Sequence, residues 1–332
     1  MTATATEFRL LGPVEVHRSR SGLRVAPAGA KQRALLATLV VEAGRTVSVE
    51  RLAEELWGAH PPRSAANAVQ AHIARLRRLL AAADGPAAHE TIVTEPTGYL
   101  LRLGEAATDA EHFRRLSAQG RAAAASDPDR AAVLLDRALS LWRGPALADC
   151  RDGSICAAEA DRLEEQRLVV LEAFYEARLR SARSEGITVE LERLAEEHPL
   201  RERFSELLMV ALHRADRCSE ALAVYERVRR RLAAELGVEP GPSLRGRREA
   251  LLRQAGHSPA GDAGFGHCTD RAEDLWCGDP ALRAAEVARI GRRLEELSCE
   301  LRDLNRRFEA LRADTPPGPR RPHPHRWQAR GR

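Results

Sequence analysis

Between Ser64 and Arg78 the chain combines amide, imidazole and guanidinium side chains and contains no carboxylate. Amides and guanidiniums can form paired hydrogen bonds with base edges, and guanidiniums also bind phosphates, so these residue types suit contact with double-stranded DNA. Winding residues 64–80 as a helix at about 100° per residue places the large apolar side chains on one stripe. That stripe consists of Ala66, Val69, Ile73, Leu76 and Leu80.

The face opposite this stripe is narrow near its N-terminal end and cationic further along. It carries Ser64, Asn67, Ala71, Arg75 and Arg78, with Ala74 beside them and Gln70, His72 and Arg77 on the flanks. Small and amide-bearing side chains would allow close approach to base edges, and the arginines would bind phosphates. An ordinary amphipathic helix with a solvated basic face has the same pattern, so the flanking elements must decide between the two interpretations.

The elements around this helix favour DNA binding. The N-terminal segment predicts short strands separated by Gly-Pro and Ser-Gly turns, and two helices follow. The second of these helices is capped by Ser48 and stops at Gly58. A proline-containing loop, the basic helix and a hairpin over 91–103 that closes on Gly98-Tyr99 complete the series. This order predicts a winged helix, in which the third helix and the wing contact DNA.

From about Asp109 to Gln254 the pattern changes to amphipathic helices with almost no strand signal. Proline and glycine breaks separate candidate helices over 109–125, 128–142, 155–183, 187–197, 201–214, 217–235 and 242–254. Paired helices of this size indicate tetratricopeptide-like hairpins, with small or aromatic packing positions at Ala211, Ala221 and Tyr225.

The C-terminal part has a different organisation. A glycine-rich flexible linker is predicted over 256–279, and a helix follows over 280–313. The apolar residues of this helix alternate steps of three and four, which is the spacing of a coiled coil. Self-association through this seam and docking on the chain's own helical domain both fit the pattern. The seam consists of Val287, Ile290, Leu294, Leu297, Leu301, Leu304, Phe308 and Leu311. The basic, proline-rich tail 314–332 is predicted to be disordered.

Several chemistries have no support in the sequence. Lys31 is the only lysine and lies in no P-loop motif, which excludes a P-loop nucleotide site. The histidines match no common zinc spacing, and no catalytic triad or paired-carboxylate arrangement can be located. The six scattered cysteines are expected to be buried or incidental thiols. We therefore predict a non-enzymatic protein with no cofactor and no metal.

Hydropathy and charge suggest where the protein works. No apolar run approaches the ~20 residues that span a bilayer, and the N-terminus lacks a signal-peptide pattern. A cytoplasmic, nucleoid-associated protein without membrane contact is expected. Residues 1–103 carry 13 basic and 9 acidic side chains, whereas 104–313 is net negative. This distribution suits DNA contact at one end and protein contact at the other.

Five segments of the chain carry a family resemblance. KQRALLATLVVEAGRTVSVERLAEELWG, PPRSAANAVQAHIARLRRLL and IVTEPTGYLL resemble the OmpR-type winged helix of the SARP (Streptomyces antibiotic regulatory protein) family. DPDRAAVLLDRALSLWRGPALAD and HPLRERFSELLMVALHRADRCSEALAVYERVRRRLAAELGVEPGPSL resemble the bacterial transcriptional activation domain of that family. The match runs from about Phe8 to Gln254, and the missing P-loop makes the chain similar to short AfsR-type members without an ATPase module.

The resemblance implies a mainly α protein. An OmpR-type winged helix-turn-helix of α+β class would occupy 1–103, and an all-α tetratricopeptide-like activation domain would occupy 109–255. The linker 256–279, the coiled-coil helix 280–313 and the tail 314–332 would follow.

The function implied by the resemblance is that of a sequence-specific transcriptional activator of a secondary-metabolite, or antibiotic, gene cluster. Such a protein binds direct repeats near the promoter −35 region and recruits RNA polymerase holoenzyme, through its sigma and alpha subunits. A homodimer is a further expectation. The alternative is a helical-repeat adaptor or ligand sensor in which the winged helix is a weak or protein-binding module.

The resemblance also assigns roles by motif. The residues that would face base edges are Asn67, Gln70, Ala71 and Arg75. The residues that would hold phosphates or lie on the wing are Trp57, Arg63, Ser64, His72, Arg77, Arg78, Thr94 and Thr97. Arg75 is the best candidate for a paired contact with guanine. Many OmpR-type wings carry an arginine that enters the minor groove, but here the stretch reads Glu95-Pro96. The wing is therefore expected to add phosphate or shape contacts and little base reading.

Overall fold

The computed structural model describes residues 6–18, 24–84, 91–103, 107–181 and 186–255. These residues form a mainly helical structure with two small β-sheets, which confirms the predicted fold class for this part of the chain. The predicted linker 256–279, the helix 280–313 and the tail 314–332 lie outside the described residues.

The N-terminal region has the element order of a winged helix. Its elements are β1 (Thr6–Arg9), β2 (Glu15–Arg18), β3 (Arg24–Val25), α1 (Ala30–Val41), β4 (Thr46–Ser48), α2 (Val49–Trp57), α3 (Ala65–Asp84), β5 (Ile92–Glu95), β6 (Gly98–Leu101) and β7 (Ala107–Thr108). One sheet has the order β3-β2-β1-β7, in which β1 pairs antiparallel with β2 and parallel with β7. The other sheet has the order β4-β6-β5 and is antiparallel.

The strand β4 was not predicted, because it directly precedes the second helix and two of its residues, Val47 and Ser48, were assigned to that helix segment. The cap of that helix is confirmed: the Ser48 hydroxyl accepts a hydrogen bond from the Arg51 backbone N–H at 3.2 Å. The helix α2 then ends at Trp57, and Gly58 follows with a φ of 58°, a left-handed value that favours glycine. Ser48 thus ends a strand and begins a helix, which ties the β4-β6 pairing to the start of α2.

The helical region begins directly after β7. Its helices are α4 (Asp109–Ala123), α5 (Pro128–Leu139), α6 (Ser154–Arg180), α7 (Ile187–Glu197), α8 (Glu202–Arg214), α9 (Cys218–Leu236) and α10 (Pro242–Ala255). Every predicted helix of this region is present, with ends within three residues of the prediction. Consecutive helices pack as pairs, and the predicted packing residues Ala211, Ala221 and Tyr225 are buried.

One hydrophobic core joins the winged helix to the first helices of the helical region. It contains Phe8 of β1 and Ile73 of α3 together with Phe113 of α4, Leu135 of α5 and Leu163 of α6, all at most 2% exposed. Apolar side chains that precede β7 in the chain and apolar side chains that follow it are therefore buried in the same core. A second core lies among the C-terminal part of α6 and the helices α7 to α10, and includes Tyr175, Leu191, Phe204, Tyr225 and Leu244.

A buried carboxylate at the start of α4 connects the two predicted domains. The Asp109 carboxylate accepts hydrogen bonds from the backbone N–H groups of Leu10 at 2.7 Å and Leu11 at 3.1 Å. Burial raises the pKa of Asp109, although these two hydrogen bonds and the nearby Arg143 act in the opposite direction. The side chain of Asp109 therefore satisfies donors that the β1-β2 turn would otherwise leave unpaired in the core.

A second buried carboxylate connects α2 to α6. The Glu55 carboxylate accepts hydrogen bonds from the Ser154 hydroxyl at 2.7 Å and from the Ile155 backbone N–H at 2.9 Å. Both donors belong to the first turn of α6, where a negative charge is favourable because the helix N-terminus carries unpaired N–H groups. The helix that precedes α3 is thus hydrogen-bonded to the longest helix of the described region.

The predicted state of the cysteines is confirmed for those that the structure describes. Cys150 and Cys156 are buried free thiols and Cys218 is half-buried and free. Burial raises the pKa of the Cys156 thiol to about 11, so this thiol stays protonated and unreactive at neutral pH. Cys268, Cys277 and Cys299 lie outside the described residues. Within the described ranges, no helix has the length and apolarity to cross a membrane.

Candidate nucleic-acid interface

The apolar stripe of α3 packs into the first core largely as predicted. Val69, Ile73, Leu76 and Leu80 are at most 1% exposed. The prediction for Ala66 was wrong, because Ala66 is exposed. No residue from 64 to 68 is buried, so the first turn of α3 projects beyond the core. The periodicity gave the correct angle around the helix but did not show where along the axis the packing begins.

The predicted base-facing residues lie together on the exposed side of α3. Asn67, Gln70, Ala71 and Arg75 are all exposed. The polar side chains among them have no hydrogen-bond or ion-pair partner within the described part of the chain. Arg63, Ser64 and Arg78 are also exposed and extend this surface at both ends. The geometry therefore leaves amide and guanidinium donors available to a ligand along about four turns of helix.

Two predicted phosphate contacts, Trp57 and His72, form the junction between α2 and α3. Both are half-buried, and their ring centroids lie 6.4 Å apart. The His72 Nδ1 atom is buried and has no hydrogen-bond partner among the described residues. Burial lowers the pKa of His72, and the cations of Arg75 and Lys31 lower it further. His72 is therefore neutral at pH 7 and can offer an N–H group, but no charge, to a phosphate.

The wing is a hairpin of β5 and β6. The strands pair from Ile92↔Leu101 to Glu95↔Gly98, so the turn consists of Pro96 and Thr97. The predicted closure on Gly98-Tyr99 was wrong by two residues, because both of these residues already belong to β6. The predicted wing residues Thr94 and Thr97 are exposed, and Glu95 is half-buried.

Arg77 connects α3 to the wing. Its guanidinium donates to the Ile92 carbonyl at 2.8 Å and 3.0 Å, and to the Thr94 hydroxyl at 2.8 Å. Arg78, its neighbour, points away from the core and reaches only the Ala74 carbonyl of its own helix, at 3.4 Å, among the described residues. Sequence periodicity placed Arg77 on the flank of the exposed face. No local sequence pattern predicts its hydrogen bond to the Ile92 carbonyl, because that residue lies on a strand 15 residues away.

Replacing Arg77 with alanine is expected to lower the free energy of unfolding by about 1–2 kcal/mol, because the buried end of β5 loses its link to α3. The matched change Arg78→Ala removes an exposed guanidinium of the same helix and should stay within about 0.5 kcal/mol of the wild type. Urea unfolding followed by circular dichroism measures both values. Equal stabilities of the two variants would show that the hydrogen bonds of Arg77 do not hold the wing.

The residues predicted for oligomerisation have no structural placement. Val287, Ile290, Leu294, Leu297, Leu301, Leu304, Phe308 and Leu311 all lie outside the described residues. Self-association through this seam stays a prediction.

Comparisons with known proteins agree with the order of the two regions. Residues 24–101, which include α3 and the wing, match the family described as "Transcriptional regulatory protein, C terminal". Residues 108–252, which include α4 to α9, match the family described as "Bacterial transcriptional activator domain".

Individual relatives share both regions. The chain is 44% identical over 250 residues to the transcriptional regulator RedD of Streptomyces coelicolor, covering 75% of this chain and 71% of RedD. It is 40% identical over 253 residues to the regulatory protein DnrI of Streptomyces peucetius, covering 74% of this chain and 92% of DnrI.

A solved structure shares the fold. The structure of Mycobacterium tuberculosis EmbR in complex with a low-affinity phosphopeptide matches with a TM-score of 0.70 and 36% sequence identity. The match covers 76% of this chain and 66% of that chain. The winged helix, the helical region that follows it and the similarity to such regulators over about three quarters of the chain give one conclusion: the chain belongs to the SARP family of transcriptional activators.

Proposed function

We propose that this chain binds direct repeats near a promoter −35 region and recruits RNA polymerase holoenzyme to the genes of a secondary-metabolite cluster. The observation that carries the proposal is the exposed, carboxylate-free face of α3. Several exposed arginines of the helical region pair with glutamates three or four residues away, such as Arg193 with Glu197 and Arg217 with Glu220. The α3 arginines lack such partners among the described residues, as a phosphate- and base-binding surface requires.

Within this face, each residue type suits a different part of the DNA. Arg75 would bind guanine through two parallel hydrogen bonds, and Asn67 and Gln70 would bind base edges through their amides. Ala71 would allow the helix to lie close to the base pairs. The phosphate contacts would come from the exposed end positions Arg63, Ser64 and Arg78, from the neutral imidazole of His72 and from Trp57.

We infer the roles of the wing and of the helical region from their contacts with the rest of the winged helix. Thr94 and Thr97 would contact phosphates beside the groove, and Arg77 would hold the wing against α3. We assign DNA binding to residues 1–103 and contact with the sigma and alpha subunits of the polymerase to 109–255. Because one core spans both regions, the helical region would stand at a fixed orientation to the bound repeat. A homodimer formed through the 287–311 seam would occupy two repeats.

The change Arg75→Ala is expected to weaken binding to the operator about 10- to 100-fold, which corresponds to about 1–3 kcal/mol for a lost paired base contact. Binding to unrelated DNA at low salt should change much less, because that binding depends mainly on phosphate charge. A gel shift with DNA from upstream of the neighbouring genes, in the presence and absence of competitor DNA, measures both affinities.

Arg115→Ala is the matched control, since it removes an exposed arginine of α4 that lies far along the chain from the α3 face. It should leave operator affinity unchanged. A wild-type protein that binds all DNA sequences equally would contradict the proposal and would favour a helical-repeat adaptor in which the winged helix binds protein.

A further inference from the structure

The only lysine of the chain, Lys31, lies in the first turn of α1 and is half-buried. Its ammonium group donates a hydrogen bond to the Leu56 carbonyl in the last turn of α2. Carbonyls in the last turn of a helix have no partner within the helix, so a cation is favourable there. This contact places the ammonium group beside Trp57, the residue that follows Leu56. None of the roles assigned above includes Lys31.

The two cations in the first turn of α1 have different partners. Arg33 forms an ion pair with Asp149 and donates to the Pro27 carbonyl at 3.1 Å, so its charge is compensated within the protein. Lys31 has no carboxylate partner among the described residues, and the first turn of α1 contains no acidic residue. An ammonium group has three N–H donors, of which the Leu56 carbonyl accepts one. The charge of Lys31 and its other donors therefore stay available to an anion.

The junction between α2 and α3 has hydrogen-bond donors but needs a charge from elsewhere to bind a phosphate strongly. The indole of Trp57 is uncharged, and His72 is neutral at pH 7 for the reasons given above. The cation of Lys31 is close enough to His72 to contribute to the lowering of its pKa. Arg75 is the other cation that lowers this pKa, but its guanidinium is assigned to a base edge. Lys31 is thus the cation that this junction has available for the DNA backbone.

We propose that Lys31 binds a backbone phosphate of DNA at the junction between α2 and α3, where Trp57 and His72 add uncharged hydrogen-bond donors. The Leu56 carbonyl holds the ammonium group in place, so less side-chain freedom is lost when DNA binds. A lysine binds phosphate as a point charge and therefore adds affinity without distinguishing base sequence. This inference rests on the proposed function and adds to it a binding residue that lies outside α3 and the wing.

The first test is Lys31→Gln in the full chain. Glutamine removes the charge but keeps an N–H donor for the Leu56 carbonyl, so the variant should keep wild-type stability in urea unfolding. In gel shifts at 0.1 M salt, operator affinity should fall about three- to tenfold, and the slope of log affinity against log salt concentration should decrease by about one. Unrelated DNA should lose affinity by the same factor. Arg75→Ala, by contrast, should weaken operator binding far more than binding to unrelated DNA.

Two matched variants separate a local contact from overall charge. Lys31→Arg keeps the cation, so its salt dependence should equal that of the wild type and its affinity should stay within about twofold. Arg115→Gln makes the same change in net charge as Lys31→Gln at an exposed position of α4 and should leave the salt dependence unchanged.

A second measurement needs no variant. Because the chain has no other lysine, acylation by acetic anhydride can be followed at this one side chain by mass spectrometry of the peptide that contains it. Saturating operator DNA should slow the acylation of Lys31 several-fold. Salt that dissociates the complex should restore the rate of the free protein.

The possible results decide the proposal. A wild-type salt dependence in Lys31→Gln, an equal loss of affinity in Arg115→Gln, or a rate of Lys31 acylation that DNA does not change would each overturn it. The proposed function is tested separately. A wild type that binds all DNA sequences equally, with a salt dependence that requires Lys31, would refute sequence-specific activation and retain Lys31 as a phosphate contact. Operator-specific binding that does not depend on Lys31 would have the opposite consequence.

Discussion

Replacement of Asp109 by alanine is expected to lower the free energy of unfolding by about 4 kcal/mol. The carboxylate is 3% exposed and accepts the backbone N–H groups of Leu10 and Leu11. Those two residues are themselves at most 3% exposed, so water cannot replace the lost acceptor. Each buried donor left unpaired costs about 1–3 kcal/mol. Arg143 also loses a contact but keeps Glu15 at 3.2 Å.

The change Asp109→Asn should have an intermediate effect of about 2 kcal/mol, because the amide keeps one acceptor and turns a donor toward the second N–H group. Asp136→Ala removes an exposed carboxylate and should stay within about 0.5 kcal/mol of the wild type. Urea unfolding followed by circular dichroism compares the three variants. If Asp109→Ala were as stable as Asp136→Ala, the carboxylate would not be needed to join the N-terminal sheet to the helical region.

Local periodicity predicted the elements well. The helix candidates from 109 to 254 agree with α4 to α10, and the burial of Val69, Ile73, Leu76 and Leu80 follows from the 3.6-residue repeat of α3. Ala66 shows the limit of this reasoning. A repeat fixes the angle of a side chain around the helix axis, whereas the extent of packing along the axis depends on neighbouring helices.

The contacts that join the two regions could not be predicted. Glu55 and Asp109 look like ordinary acidic residues near helix ends, and their donors lie about 99 residues away in the chain. Arg77 looks like one more arginine on a basic face, although it holds the wing. Such hydrogen bonds depend on which elements pack together in three dimensions. The hydrophobic periodicity within a single element contains no information about them.

The strand β4 was missed for a related reason. Its three residues are too few to show alternation, and its partner β6 lies about 50 residues further along the chain. Gly98 was noticed only as a turn residue. In the structure it lies within β6, between Ser48 of β4 and Glu95 of β5. This position gives Gly98 a role in packing the sheet that the sequence did not suggest.

Replacing Gly98 with alanine is therefore expected to destabilise the winged helix severely. A Cβ atom at this position would lie 1.9 Å from the Val47 carbonyl oxygen and 2.8 Å from the Ser48 Cα atom. Both atoms belong to the backbone of β4, so no side-chain rotation can relieve the overlap. The strands β4 and β6 must separate, and Ser48, which caps α2, must move with them. We expect a loss of at least about 3 kcal/mol in the free energy of unfolding.

Loss of operator binding should accompany the loss of stability, because β6 forms part of the wing and β4 leads into α2, the helix before α3. Gly246→Ala provides the control. Gly246 lies in α10 with open space around its Cα atom, so an added methyl group should stabilise the helix by about 0.5–1 kcal/mol. Urea unfolding and a gel shift on both variants measure these effects. A Gly98→Ala protein with wild-type stability and wild-type DNA affinity would mean that the close β4-β6 approach is not required for the DNA-binding fold.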